Sequence, residues 1–404
     1  MTAVATDNFR ARLFLIGFGV TVFAIGQSLI FTIVSPLARS TGLSEIQFGL
    51  VLTMASLPLV FFAPFWGKKS DAIGRKPVFI FGLAGSAIGT LLVGLAFEAR
   101  LAGWISVLGL AFSLLLARAF YSATGSALYP SAGGYIADVT TLADRGKGMA
   151  ILGASNSLGA VIGPLLAASL AFTGILVPMY VAAGLMLITA LAAVKLLKEP
   201  ERHEVSRQAS TLTPFDPRLR PFMLMWFFFF LTFSSVQLSS GFFIQDKLQI
   251  AEPAGVVRVA GICLISMALV IVVAQGMVLQ VLHIRPQLLL RLCGPAMIGC
   301  LLTLSAATSM TGLIIGFMLL GLSFSFATPG INGGGSLAVG PHEQGTASGY
   351  LAAANTIGAV LGPLTGAGLY ALGPHALFYA GTALFLGVSV YALTIRIPSA
   401  PPSH

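Results

Sequence analysis

Arg118 stands inside the apolar run Leu114-Leu-Leu-Ala-Arg118-Ala-Phe120. A guanidinium stays protonated under ordinary conditions. Held at mid-depth of an apolar segment, it costs on the order of a few kcal/mol unless it faces a cavity or a partner. It can recognise an anion or a carbonyl oxygen through its planar fork, or tune a neighbour, but it cannot carry a proton. Tyr121 and Ser122 follow closely, and Ser122, Gly125 and Tyr129 extend a polar, small-sided stripe at helical spacing. A structural arginine tied to backbone carbonyls is the competing reading. Gln27 shares a helix face with Phe23 and Phe31, and Phe230, Ser234, Gln237 and Gly241 share another. Asn156, Asn332 and Asn355 add amides, which need partners once buried and serve a helix–helix hydrogen bond as readily as a ligand. Phe227 to Phe230 reads as lipid-facing bulk. No Asp or Glu falls at mid-depth of an apolar run, so the expected cavity is neutral to positive. It suits neutral, zwitterionic or anionic molecules better than quaternary cations.

A second cluster is Gly67-Lys-Lys-Ser-Asp71-Ala-Ile-Gly74-Arg75-Lys76-Pro77. It is short enough to be a tight turn, where Gly67 and Gly74 permit close approach or positive φ. Asp71 lies among Lys68, Lys69, Arg75 and Lys76, which predicts pairing; a basic turn that only fixes topology is the alternative. Gly276, Gln280, Arg285 and Pro286 form a worn copy. No nucleophile–base pair, metal-ligand spacing or phosphate-cradling loop stands out, so neither an enzyme nor a metal or cofactor site is expected. Cys263, Cys293 and Cys300 all fall in apolar runs, against a disulfide framework.

The elements that must position these residues are repeated. Gly153-Ala-Ser-Asn-Ser-Leu-Gly-Ala-Val-Ile-Gly-Pro-Leu165 returns as Ala352-Ala-Ala-Asn-Thr-Ile-Gly-Ala-Val-Leu-Gly-Pro-Leu364. Gly159 answers Gly358, and Gly163-Pro164 answers Gly362-Pro363, at one offset near half the chain. Pro130 answers Pro329, and Asp144-Arg145-Gly146 answers Glu343-Gln344-Gly345. Small residues four apart let helices touch backbone to backbone, and Pro164 removes a hydrogen bond and bends its helix. Gly159 and Gly163 are expected to pack against the opposite half, as parts of a gate.

Of 404 residues, 56% are hydrophobic and 9% charged, with mean hydropathy +0.93. Soluble domains carry about 25% charged residues, so this composition predicts a lipid-embedded chain. About twelve runs approach the roughly 20 residues needed to span a bilayer: near 12–36, 45–66, 77–97, 103–136, 147–171, 175–196, 221–245, 256–281, 287–307, 311–338, 344–370 and 375–396. They lack the dyad alternation of a membrane barrel. The net charge of +9 orients the chain and does not signal nucleic acid. With the N-terminus cytoplasmic, the basic groups at 10–12, 68–76, 145–147, 195–220, 285–291 and 396 lie inside. Only Arg39, Arg100, Lys247 and Arg258 lie at the outer face, as the positive-inside rule demands. Trp66 and Trp104 fall at span ends. The first run is a full span with no cleavage site ahead of it, so no signal peptide is expected. The polar stretch from Pro200 to Pro221 divides the chain into a bundle over 1–198, a cytoplasmic linker over 199–220 and a bundle over 221–404.

On these motifs the chain resembles the major facilitator superfamily, within it the twelve-helix drug:proton antiporters. The loop 67–76 is similar to the family signature, with Lys69 and Ala72 departing from the usual leucine and arginine. Tyr135-Ile-Ala-Asp138 resembles the end of the family's fourth helix, and the resemblance implies that Arg75 pairs with Asp138. Gly159-Ala-Val-Ile-Gly163-Pro164 resembles the antiporter motif of helix five, with Ala167 and Ala168 where the family has two glycines. Arg118 resembles the arginine of the helix-four motif, though Tyr121 and Ser122 replace its glutamine and glycine. The implied fold is an all-α integral membrane protein of about twelve transmembrane helices in two pseudo-symmetric six-helix bundles. The implied activity is proton-coupled export of a small organic molecule by alternating access, from the cell inner membrane, with both termini cytoplasmic. Substrate, protons and the lipid bilayer are then the partners. The substrate-binding or coupling set is Gln27, Phe31, Arg118, Tyr121, Ser122, Asn156, Ser234, Gln237, Asn332 and Asn355. The gating set is Gly67, Asp71, Gly74, Arg75, Lys76, Asp138, Gly159, Gly163, Pro164, Gly362 and Pro363. A facilitator or symporter importing an organic anion and a non-transporting membrane receptor are the rival readings.

Overall fold

A computed structural model describes the backbone of residues 3–140, 145–200, 212–213, 216–275, 284–340, 343–395 and 397, and their side chains except those of 3–11, 145–147 and 150. Among these residues there are helices and connecting turns and no strand. In chain order they are α1 (Ala3–Leu29), α2 (Ser35–Ser40), α3 (Glu45–Ile73), α4 (Arg75–Leu101), α5 (Val107–Gly125), α6 (Leu128–Val139), α7 (Arg145–Leu170), α8 (Val177–Leu196), α9 (Arg220–Leu248), α10 (Pro253–Val273), α11 (Pro286–Ala306), α12 (Met310–Leu337), α13 (Gln344–Leu372) and α14 (Ala376–Thr394). A π turn over Ile30–Val34 runs α1 into α2. The run expected as one span over 103–136 is two helices, interrupted at Ser126 and Ala127. Asp144, Gly276 and Gln280 lie outside the described residues.

Among the described residues, eleven helical stretches are long and apolar enough to cross a membrane. The twelfth long helix, α13, has 29 residues and is not one of them, because glycine, alanine, threonine and asparagine dilute its apolarity. That composition is the one its packing requires. Helix ends follow local chemistry: Ser44 and Gln47 form a reciprocal capping box at α3, and Ser106 and Ser309 cap α5 and α12. Large apolar side chains such as Phe61, Phe112, Leu108 and Ile188 are exposed along the helices. That surface is compatible with lipid and not with water.

The chain forms two compact units, Met1–Val205 with Glu252–Gly261, and Ser206–Ala251 with Ile262–His404. The first unit's core joins Ile16, Val20 and Phe23 of α1 to Phe79 and Leu83 of α4, Tyr121 of α5, Leu128 and Tyr135 of α6 and Ala190 of α8. In the second, Trp226, Phe229 and Phe233 of α9 gather with Phe324 of α12 and Phe385 of α14. Phe229 is therefore buried, and the partly buried Phe230 meets Trp226, Phe233 and Phe324 in the same cluster, which corrects the lipid-facing reading of Phe227–Phe230 at those two positions.

The repeated glycines make the same contact twice. A Cβ on Gly159 would meet Thr21 and Ala24 of α1, and one on Gly163 would lie 2.8 Å from the Ile25 carbonyl. Ser28 Oγ donates to the Gly159 carbonyl across the same contact at 3.3 Å. In the second unit a Cβ on Gly358 would meet the Phe227 carbonyl of α9, and one on Gly362 would lie 2.6 Å from Ser234 Cβ. Ser234 Oγ donates to the Ala359 carbonyl at 3.0 Å, and Ser235 Oγ to that of Gly362 at 2.8 Å. Gly159 and Gly163 thus pack within their own unit and not against the opposite half as expected. The small-residue row needs the nearest parallel surface, and α1 supplies it with Ala24 and Ser28. A different face of α7 carries Pro164 and Ala168, and a Cβ on Gly261 of α10 would lie 3.0 Å from the Pro164 carbonyl and 2.8 Å from Ala168 Cβ.

Gly163→Leu should consequently destabilise the first unit by about 1–3 kcal/mol, as overpacking does, and lower the melting temperature of the purified protein. Gly153→Ala, where an added Cβ meets nothing within 4 Å, should leave it unchanged. Equal melting temperatures for the two variants would refute the α7–α1 contact.

Candidate functional site

Arg118 projects from α5 and is 9% exposed. Its guanidinium carbon lies 4.5 Å from the centroid of the Tyr121 ring one turn on, a cation–π contact. Nε and Nη1 are buried without a hydrogen-bond partner among the described residues, and so is the Tyr121 hydroxyl. The reading of a structural arginine tied to carbonyls therefore fails at those two donors. Phe23 of α1 stacks on Tyr121 with centroids 5.7 Å apart and meets Tyr129 edge-on at 5.8 Å. Tyr129 donates to Asn156 Oδ1 of α7 at 2.5 Å, and Ser122 is buried. Arg118, Tyr121 and Asn156 thus join in one chain of contacts, with Phe23 and Tyr129 as the links. The spacing of Tyr129 from Arg118 and Ser122 was the sequence signal for it.

The other candidates do not join this group. Gln27 and Phe31, partly buried, lie one and two turns beyond Phe23 on α1. Ser234 is engaged in the α9–α13 contact, and Asn332 Oδ1 accepts from Trp226 Nε1 at 2.8 Å; helix–helix bonding accounts for both. Gln237 is buried on α9 with its amide nitrogen 3.9 Å from Met267 sulfur, a weak contact for so polar a group. Asn355 is partly buried on α13.

A second constellation sits where α3 ends and α4 begins. Gly74 takes φ +113° there, a conformation that favours glycine. Arg75 Nη2 lies 2.6 Å from Asp71 Oδ1, Nε lies 3.0 Å from Asp138 Oδ2, and Nη1 donates to Ser70 Oγ at 2.7 Å. Ser70 in turn donates to the Gly67 carbonyl at 2.8 Å. Asp138 ends α6, where the helix dipole disfavours a carboxylate unless a cation compensates; Arg75 is that cation. Among the described residues Lys76 pairs with no carboxylate: its Nζ donates to the Val194 carbonyl at 2.8 Å. Three participants were not read from the sequence. Ser70 orients the guanidinium, Gly134 of α6 leaves room for it (a Cβ there would lie 2.5 Å from Arg75 Nε), and Glu199 accepts from the backbone N–H groups of Arg75 and Lys76. The Gly133-Gly134 pair one turn before Asp138 was the available sign of close approach.

The second unit carries an arginine between two carboxylates in another way. Arg218, ahead of α9, lies 2.9 Å from Asp216 Oδ2 and 3.1 Å from Glu343 Oε2, and Glu343 also accepts from the Gly340 N–H at 3.1 Å. These bonds from Arg218 hold both carboxyl groups below their usual range and raise the guanidinium in turn.

Long apolar helices in two internally repeated units, with an unpaired cation inside a span, define a multi-pass membrane transporter. The chain belongs to the Major Facilitator Superfamily, whose pattern matches residues 16–363. It is 24% identical over 378 residues to multidrug resistance protein 2 of Bacillus subtilis (strain 168), covering 91% of this chain and 90% of that one. It is 34% identical over 179 residues to the class B tetracycline resistance protein of Escherichia coli, covering 44% of this chain and 41% of that one. The crystal structure of the human organic anion transporter MFSD10 (TETRAN) superposes with a TM-score of 0.66 at 21% identity, covering 95% of this chain and 99% of that one.

Gly134→Ala should push the Arg75 side chain aside at little cost in stability, since the displaced group is the end of a flexible chain, and should lower flux severalfold at normal expression. Wild-type flux in purified, reconstituted Gly134→Ala would show that the guanidinium position is immaterial. Because Asp216 and Glu343 have lowered pKa values when folded, their stabilisation is present above the ordinary carboxylate range and is lost as pH falls below about 4. The effect is small for so exposed a cluster. A melting curve from pH 6 to pH 3 should be steeper for the wild type than for Glu343→Gln.

Proposed function

We propose that this transporter exports a small neutral, zwitterionic or anionic organic molecule in exchange for protons, by alternating access, across the cell inner membrane. The observation that carries the reading is Arg118: two buried donors and the neighbouring Tyr121 phenol have no hydrogen-bond partner among the described residues, beside an aromatic shelf of Phe23, Tyr121 and Tyr129. Burying donors unmade is costly, so an acceptor brought by a ligand is favoured there. Arginine does not titrate in the usual range, so the proton must ride on another group or on the substrate itself. The drug- and tetracycline-resistance relatives support export. With the basic turn 67–76 on the inside, both termini are cytoplasmic.

Asp71, Arg75 and Asp138 act in this reading as an inner-face latch whose closure favours one conformation. A second reading, import of an organic anion by facilitation or symport, draws on the same unpaired guanidinium and on the structural likeness to a human organic anion transporter. Uptake into inside-out vesicles under an imposed inward-acid gradient separates the two: export predicts accumulation that collapses with the gradient, and anion import predicts none.

Arg118→Lys keeps the charge but loses the fork, and Arg118→Ala loses both. Relative to wild type, Arg118→Ala should bind substrate roughly 100-fold more weakly, the order of two charge-assisted hydrogen bonds, with Arg118→Lys intermediate. Unchanged affinity with lost proton-driven accumulation would assign Arg118 to coupling, and retention of both would leave it structural. Asp71→Asn and Arg75→Ala should each cut flux about tenfold, read in proteoliposomes against equal amounts of inserted protein.

A further inference from the structure

Helix α4 begins without a cap of its own. Its N-cap position is Gly74, which has no side chain to bond the first free N–H groups, and a helix start leaves such donors unsatisfied unless something outside the helix accepts from them. The acceptor comes from far along the chain. Glu199, just beyond the end of α8, takes the Arg75 N–H on Oε1 at 2.5 Å and the Lys76 N–H on Oε2 at 3.0 Å. Both carboxylate oxygens are thus used on two successive amides, at the end of the helix where the dipole favours an anion.

The fit is close. A Cβ on Gly74 would lie 2.7 Å from Oε1, 2.8 Å from the carboxyl carbon and 2.9 Å from Oε2, so the glycine is needed both for its φ of +113° and for the room it leaves Glu199. Two neighbouring bonds hold the region: Lys76 Nζ to the Val194 carbonyl, and the Tyr135 hydroxyl to the Lys198 carbonyl at 2.7 Å. Tyr135 lies three residues before Asp138 on α6.

We propose that Glu199 is a positioning residue for the inner latch: by holding the backbone of Arg75 and Lys76, it aims the Arg75 guanidinium at Asp71 and Asp138. The inference rests on the latch reading of those three residues. Among the described residues Glu199 makes no hydrogen bond or ion pair with the latch side chains; it fixes the point from which the arginine side chain departs. The same carboxylate opens the segment that leads to the second unit, so the start of the linker and the latch share one anchor.

The test needs no known substrate. Ser70 is 1% exposed beneath the Arg75 side chain, so a Ser70→Cys protein in inside-out vesicles reports latch opening through its labelling rate with a membrane-impermeant maleimide, read by mass spectrometry of that peptide. In this background Arg75→Ala and Glu199→Ala should each speed labelling about tenfold. Glu199→Gln, which keeps one carbonyl acceptor but no charge, should speed it about threefold. Fast labelling in Arg75→Ala with parental labelling in Glu199→Ala would overturn the role of Glu199 and leave the latch intact. Parental labelling in both would overturn the latch reading itself, and this inference with it. If Glu199→Ala does not fold, the Glu199→Gln comparison decides: a parental rate there overturns the proposal.

Discussion

Between lipid-embedded helices, burying apolar surface supplies no driving force, because the surrounding chains are as apolar as the side chains. Association must come from close backbone approach and from hydrogen bonds across the contact, and the rest of this molecule depends on two such contacts. Helix α7 meets α1 through Gly159 and Gly163, and α13 meets α9 through Gly358, Gly362 and Gly366. In each, a serine of the partner helix reaches a carbonyl of the glycine row: Ser28 in one, Ser234 and Ser235 in the other. The duplication visible in the sequence is therefore a duplication of helix pairs. Each unit is built around a pair that could not tolerate larger side chains at those positions.

Against that rigid framework the two arginines of the first unit stand in opposite conditions. Arg75, at the membrane surface, has Asp71, Asp138 and Ser70 around its fork. Arg118, within α5, has a ring beneath it and, among the described residues, no acceptor at Nε or Nη1. A satisfied arginine at a helix junction holds one arrangement in place. An unsatisfied one inside a span is tolerated only because ligand, water or a second conformation can complete it. Charge chemistry in this chain is thus divided by position: the arginine at the α3–α4 junction is paired, and the one within α5 is not bonded at Nε and Nη1 by any described residue.

Much of this was legible in the sequence. The repeat, the helical runs and the pairing of Asp71 with a basic neighbour were readable because each is a local pattern: spacing, length or sign of charge. The tight turn expected over 67–77 was not found: α3 continues to Ile73 and α4 starts at Arg75, so the break is Gly74 alone. The pairing of Arg75 with Asp138 followed from family resemblance, and physics explains it through the helix end. What could not be read is which surface a pattern faces. The row Gly159–Gly163 says that a helix comes close but not which one, and the expected partner was the wrong half of the chain. Likewise Phe229 belongs to a core although its neighbours look alike in sequence. Glu199 was hidden for a related reason. A cap normally precedes its helix by one residue, and this one is supplied from 124 positions beyond Arg75, where nothing local marks it.

The arginine clusters of the two units show how a duplicated chain departs from its own symmetry. In the first unit the arginine is the first residue of α4, and its carboxylates come from the last turn of α3 and from the end of α6. In the second, the sequence copy of the motif has Gln280 at the place of Asp71, and the arginine is Arg218, drawn from the approach to α9. One of its carboxylates, Glu343, is the repeat's counterpart of Asp144. The arginine–two-carboxylate arrangement is thus present in both units while its parts are not, as expected when a charge cluster is constrained by its position at the helix ends rather than by its origin in the chain. The linker gains by this difference. Its first residue, Glu199, is fixed to the first unit through the amides of α4, and its last stretch, Asp216 and Arg218, is fixed to the second through Glu343, with the Tyr350 hydroxyl on the Leu212 carbonyl as a further tie. Each described end of this segment thus bonds to its own unit beside that unit's arginine cluster.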